Sequence, residues 1–170
     1  MIKTKAYTSE LLENRDLTDS MYEIISTNMS AVFEEAYSED DKKLWYENNI
    51  VKAASNPNKK TVIAFDGEQP CAYFQYKKVE GDEASWDELE IDSAHKGDKK
   101  TFLALVKHFI DDNDFTECKL IRAYINNKNK KSQEVFAALG MKIIEDTPRG
   151  AIYRASRTDI ENWVLSRLKP

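Results

Sequence analysis

Two short segments concentrate positive charge in a chain that is otherwise acidic. Lys96-Gly97-Asp98-Lys99-Lys100 and Lys128-Asn129-Lys130-Lys131 hold six of the 25 basic residues within nine positions, against a net charge of -5. Each segment runs directly into a stretch of helical periodicity, so each is predicted to be a helix start. A helix start carries about half a positive charge, and a lysine there loses about 0.3–1 kcal/mol. A phosphate reverses that sign, because backbone N–H and ammonium groups then converge on its oxygens. The chemistry expected of this pair of turns is anion binding, against the plainer reading of two solvated lysine-rich loops.

The elements that must position these turns follow from periodicity. Apolar residues Met21, Tyr22, Ile24, Ile25, Met29, Val32 and Phe33 predict a helix over 18–33. Ser38, with Asp41 three residues on, reads as the capped start of a second helix through Leu44, Trp45 and Val51, ended by Asn56-Pro57-Asn58. Strands are expected at 61–65 and 71–79, joined at Asp66-Gly67, and at 86–91. In the third, Trp86, Glu88 and Glu90 lie on one face and Asp87, Leu89 and Ile91 on the other. Phe102, Leu103, Leu105, Val106, Phe109 and Ile110 stripe a helix over 101–111. A strand at 118–125, a helix over 131–139 closed by Gly140, strands near 141–145 and 151–155, and a helix from Asp159 complete the order αα, βββ, αβα, ββ, α. The strand–helix–strand unit from 86 to 125 implies two neighbouring parallel strands. Ligands of such units bind outside the carboxyl ends of the strands, where both lysine segments fall.

Composition narrows the classes further. The 170 residues, 41% of them apolar, suit one folded domain spanning 1–170 with a real core. Net acidity argues against a nucleic acid or an anionic membrane as partner. No apolar run approaches the roughly 18 residues of a membrane span. Met1-Ile2-Lys3-Thr4-Lys5 lacks the apolar stretch of a signal peptide, which leads to a cytoplasmic expectation. Cys71 and Cys118 sit in apolar surroundings and read as buried, reduced thiols. His95 and His108 with two distant cysteines make no metal site, so no metal is expected.

These residues resemble a family. Ile91-Asp92-Ser93-Ala94-His95-Lys96-Gly97 is similar to the end of the fourth strand and the pyrophosphate loop of GNAT N-acetyltransferases. Asn129-x-x-Ser132-x-x-x-Phe136-x-x-Leu139-Gly140-Met141 is similar to that family's second cofactor motif. The resemblance implies an α/β (α+β) fold: a mixed, mostly antiparallel sheet of six to seven strands, a central parallel, splayed strand pair, and helices on both faces. It implies acetyl-coenzyme A as co-substrate. Pantetheine would be held by main-chain groups around Leu89 and Ile91, and the pyrophosphate by Lys96, Gly97, Asp98, Lys99, Lys100 and Thr101. Asn129 would bond the pantetheine arm, Ser132 would line its channel, and Phe136 belongs to the same motif. A main-chain N–H near Leu89 would polarise the thioester carbonyl. Two departures stand out. The loop has Lys99 and Thr101 where the family usually has glycine or alanine, and Phe136 replaces a frequent tyrosine acid. Tyr124 and Tyr153 are the candidate substitutes for that acid. Glu88 and Glu90 are candidates for a water-relayed base acting on an ammonium of ordinary pKa about 10.4, or else solvated strand carboxylates.

The resemblance also assigns the acceptor pocket to the first two helices and their connection. Glu34, Glu35 and Tyr37 there are expected to attract a cationic amine, whereas Glu39, Asp40 and Asp41 suit helix capping as well. The activity implied is transfer of an acetyl group to a primary amine, on a small molecule or a protein, by direct attack in a monomer or homodimer. The alternatives are a non-catalytic coenzyme-A-binding module and an interaction scaffold without cofactor.

Overall fold

The computed structural model describes residues 1–33 and 37–168. Seven strands form one sheet in the order β1-β2-β3-β4-β5-β7-β6. They are β1 Ile2–Tyr7, β2 Lys59–Asp66, β3 Gln69–Lys78, β4 Glu83–Ile91, β5 Leu120–Asn126, β6 Lys142–Thr147 and β7 Gly150–Ser156. The connections β2–β3 and β3–β4 are too short for a crossover, so these pairs are antiparallel. β1–β2, β5–β7 and β6–β7 are antiparallel too, and β4–β5 is parallel. The expected mixed, mostly antiparallel sheet is therefore present. The parallel register joins Glu83–Trp86 to Leu120–Ala123 and stops there, although β4 continues to Ile91 and β5 to Asn126.

The chain divides into two compact units. The first comprises residues 1–76 and 88–108. Its helix α1, Arg15–Phe33, turns Leu17, Met21, Ile24, Ile25 and Met29 onto Ile63 of β2 and Tyr73 of β3. Tyr46 and Ile50 join that core from α2, Glu39–Tyr46, and from a π turn at Glu47–Val51 that leads into α3, Lys52–Ala54. The capping box is as expected: Asp41 N–H donates to Ser38 Oγ at 3.1 Å, and Ser38 N–H to Asp41 Oδ2 at 3.2 Å. On the other face of β1, His108 of α4, Lys99–Asp111, meets Thr4 at 2.9 Å.

β1 was not anticipated from the sequence. Its exposed Lys3 and Lys5 alternate with half-buried Ile2, Thr4 and Ala6, a pattern too short and too polar to stand out. Lysine on the solvent face is how an edge strand resists pairing with other chains.

The second unit comprises residues 77–87 and 109–170. Trp86 is the centre of an aromatic cluster, edge-on to Phe109 at 5.4 Å and to Phe136 at 6.0 Å. Phe136 lies on α5, Lys130–Ala138, which ends at Gly140 with φ 84°. The last helix, α6, spans Arg157–Leu168 and so starts two residues before the expected Asp159. Buried Arg157 explains the earlier start, since its guanidinium donates to the carbonyls of Phe115 and Ile110.

Candidate functional site

The end of β4 sets the geometry of the first lysine segment. Asp92 N–H donates to Cys71 O at 2.9 Å, the last rung toward β3. Strand alternation then turns the main-chain groups of Leu89 and Ile91 to the opposite edge. Beyond the strand the chain folds on Asp92, whose carbonyl accepts from Lys96 N–H at 2.9 Å and whose Oδ1 accepts from His95 N–H at 2.8 Å. His95 Nδ1 lies 2.7 Å from the same Oδ1, and Nε2 lies 3.5 Å from Asp66 Oδ2. The Asp92 hydrogen bond, with the Asp66 carboxylate behind it, raises the imidazole pKa.

Gly97 takes φ 92°, a conformation that favours glycine, and α4 starts at Lys99. The strain that a left-handed Lys99 would carry is thus absent, because the turn is made at Gly97. Asp98 N–H bonds His95 O at 3.0 Å, and Asp98 Oδ1 accepts from Lys100 N–H at 2.9 Å. Asp98 therefore builds and caps the turn. Two exposed residues of the turn, Gly97 and Lys99, have amides with no protein acceptor among the described residues. Lys96, Lys99 and Lys100 are exposed around them. Thr101 is wholly buried, and its hydroxyl has no hydrogen-bond partner among the described residues, so it faces inward and does not reach a surface anion.

Glu90 sits three residues before the loop residue Ser93 and is half-buried. Asn28 of α1 donates its Nδ2 both to Glu90 Oε2 and, at 3.1 Å, to Ile91 O. Burial pushes the Glu90 carboxyl up to about 7, against the opposing pull of the Asn28 hydrogen bond and of Lys96. Such a group is half ionised near neutrality, where a general base works best. Glu88, also half-buried, bears electrostatically on Tyr73, as does Glu90.

In the second unit, Asn129 is the N-cap of α5: its Oδ1 accepts from Ser132 N–H at 3.1 Å. Gln133 braces the turn by donating to the carbonyls of Asn126 and Asn127, both at 3.1 Å. Lys128, Lys130 and Lys131 are exposed, and Ser132 is half-buried. Tyr124 is 52% exposed on β5, and its ring lies over Gly150. A Cβ at Gly150 would come within 2.7 Å of the Tyr124 hydroxyl and 2.3 Å of Ile125 O, so only glycine fits there. Tyr153, the other candidate acid, is buried.

No protein-family model matches the sequence, nor does any curated protein. Solved structures do match. A PaiA N-acetyltransferase from Thermoplasma acidophilum, in complex with coenzyme A, aligns with 92% of this chain and 99% of its own at 16% identity and a TM-score of 0.72. A ribosomal-protein-alanine N-acetyltransferase from Escherichia coli aligns with 92% of this chain and 94% of its own at 14% identity and 0.61. An aminoglycoside acetyltransferase, in complex with coenzyme A, aligns with 95% and 98% at 16% identity and 0.62. The fold is that of the GNAT acetyltransferases.

Within this GNAT fold, the acceptor-side expectations separate. Glu34 and Glu35 lie outside the described residues. Tyr37 is partly exposed and edge-on to Phe33 at 5.5 Å. Asp41 is committed to the capping box, and Glu39 pairs with buried Lys42 at 2.6 Å, which lowers its carboxyl pKa. Among the described residues no His, Cys, Asp and Glu group is arranged to hold a metal, and no helix is long and apolar enough to cross a membrane. The sequence reading missed Asn28. Its signal was a lone amide in the apolar stripe of α1, between Ile25 and Met29.

Proposed function

We propose that this chain is an acetyl-coenzyme-A-dependent N-acetyltransferase acting on a primary amine of a small molecule or protein. The observation that carries the reading is Glu90, a carboxyl with a pKa of about 7 at the end of β4, held by an uncharged amide. The Gly97 and Lys99 amides at the start of α4 and the lysines beside them suit a pyrophosphate. The outward main-chain groups of Leu89 and Ile91 suit the amides of pantetheine, with the Ile91 carbonyl already shared with Asn28. In the second unit, Asn129 keeps its Nδ2 free of the cap, which has taken Oδ1.

Acetyl-coenzyme A supplies the activated acetyl group. Glu90, directly or through a water, takes the proton of the ammonium so that the free amine attacks, and the Leu89 N–H stabilises charge on the carbonyl oxygen. A thiol of pKa about 8.5 can leave as thiolate, so Phe136 does not prevent turnover. Neither cysteine suits an acyl-enzyme. Both are buried; burial pushes the Cys71 thiol up to about 11 and raises that of Cys118. Cys71→Ala and Cys118→Ala should keep their activity apart from packing losses.

The second reading, a coenzyme-A-binding module without turnover, draws on Phe136 and on the Asp98 carboxylate at the anion turn. Acetyl-coenzyme A titration and thiol release with a panel of polyamines, amino sugars, amino acids and lysine peptides test both. Binding with thiol release supports the transferase. Binding with no release from any amine supports the module, and no binding contradicts both.

A further inference from the structure

Four buried polar atoms of the first unit have no hydrogen-bond partner among the described residues, namely Asn28 Oδ1, the Tyr73 hydroxyl, Gln75 Oε1 and the Thr101 hydroxyl, and the first two belong to side chains that bear on Glu90. Both belong to side chains that are almost entirely inaccessible, Asn28 at 6% and Tyr73 at 0%. Such orphans are rare because each leaves the desolvation of a polar group uncompensated. Leucine would continue the stripe of α1, and phenylalanine would fill the place of Tyr73, without that penalty. The orientation of the Asn28 amide follows from its two bonds, since Glu90 Oε2 and Ile91 O are both acceptors and must face the NH2 end. Oδ1 is therefore left as an acceptor.

We propose that Asn28 and Tyr73 are the acceptor-reading pair of the site, Asn28 positioning the Glu90 carboxylate while its Oδ1 and the Tyr73 hydroxyl receive N–H groups of the incoming amine. This rests on the transferase reading above. The pair belongs to one neighbourhood: Tyr73 packs in the apolar cluster that includes Ile24, Ile25 and Met29 of α1, and its hydroxyl feels the charge of Glu90 and Glu88. The chemistry of the group selects its ligand. Asn28 Oδ1 and an ionised carboxylate only accept, and a phenol can accept. A primary ammonium offers three N–H donors to these three groups, whereas an alcohol offers one and a carboxylate none. The charged groups around the site are Glu88 and Glu90 on β4 and Lys96 in the following loop, with Tyr46 of α2 bearing on Tyr73 as well. Two acids against one lysine favour a cationic head.

The experiment is a carboxyl and tyrosine-ring NMR titration of the full chain with n-butylamine, n-butanol and butyrate, paired with thermal melts and amine kinetics. In the wild type, n-butylammonium should shift the Glu90 and Tyr73 signals saturably, and the other two probes should not. Tyr73→Phe should keep or raise Tm, because no hydrogen bond within the fold is lost, while weakening n-butylammonium about tenfold and leaving acetyl-coenzyme A affinity unchanged. Asn28→Ala should raise the Glu90 pKa by about one unit, through loss of a donor to the charged form. Asn28→Ser serves if the alanine variant folds poorly. An unshifted wild-type spectrum, or variants that keep the wild-type amine affinity and Glu90 titration, overturns the proposal. Saturable n-butylammonium binding at these signals without any thiol release would instead uphold the pair and remove the transferase reading.

Discussion

Strand β4 carries a carboxylate near each end, Glu83 buried and Glu90 half-buried, and the two are met by different partners. Glu83 is met by guanidinium groups, with Arg154 Nε at 2.7 Å and Arg122 Nη1 at 3.7 Å, from residues paired across β5 and β7. Glu90, seven residues along the same strand, is met by the neutral amide of Asn28, and its carboxyl rises to about 7. A carboxylate that only has to support the fold can be held by adjacent cations. A carboxylate that must take up and release a proton near neutrality cannot have a guanidinium against it. Burial with an uncharged donor leaves it able to titrate.

The sharpest way to break the comparison is through stability. A carboxyl whose folded pKa is above its unfolded value holds more protons in the native state, so stability falls as pH rises from about 4.5 to about 7. Above that window the penalty is complete, at about 3 kcal/mol for such a shift. Glu90→Gln keeps an acceptor for Asn28 and removes the penalty. Denaturant unfolding should find it more stable than wild type at pH 8 by up to that amount, with the two curves converging below pH 4.5. Glu83→Gln should do the reverse and lose about 1–2 kcal/mol at pH 7, the value of a charge-assisted bond discounted because both arginines are more than a third exposed. Equal signs for the two variants would end the distinction.

A smaller effect concerns the turn beside Glu90. Lys96, Lys99 and Lys100 are exposed, so each contributes little, and their joint change to glutamine should weaken acetyl-coenzyme A about tenfold and flatten its salt dependence. An unchanged titration would contradict the placement of the anion at this turn.

How much of this was legible in the sequence varied with the kind of signal. Helices α1 and α4 and the Ser38 cap were plain, because periodicity and capping are local. Asn129 and Gly140 framed α5 for the same reason. The early stop of the parallel register after Trp86 came from the resemblance, since nothing local in β4 marks it. β1 was missed because an edge strand with alternating lysines carries half the usual apolar signal. The Thr101 hydroxyl was expected to help hold an anion and is instead buried, because position three of α4 faces the core. Glu88 and Glu90 were indistinguishable as letters. What separates them is Asn28, 62 residues away from Glu90 in sequence and brought to it only by the packing of α1.

The central claim, that Glu90 is the base of an acetyl transfer, is tested most directly by the pH dependence of amine-dependent thiol release in wild type and Glu90→Gln. A base of this kind gives kcat/KM that rises with pH and bends near 7. The glutamine variant should lose that bend and be about 10²–10⁴-fold slower, with acetyl-coenzyme A still bound. A variant that retains the wild-type rate and the same bend would contradict the account.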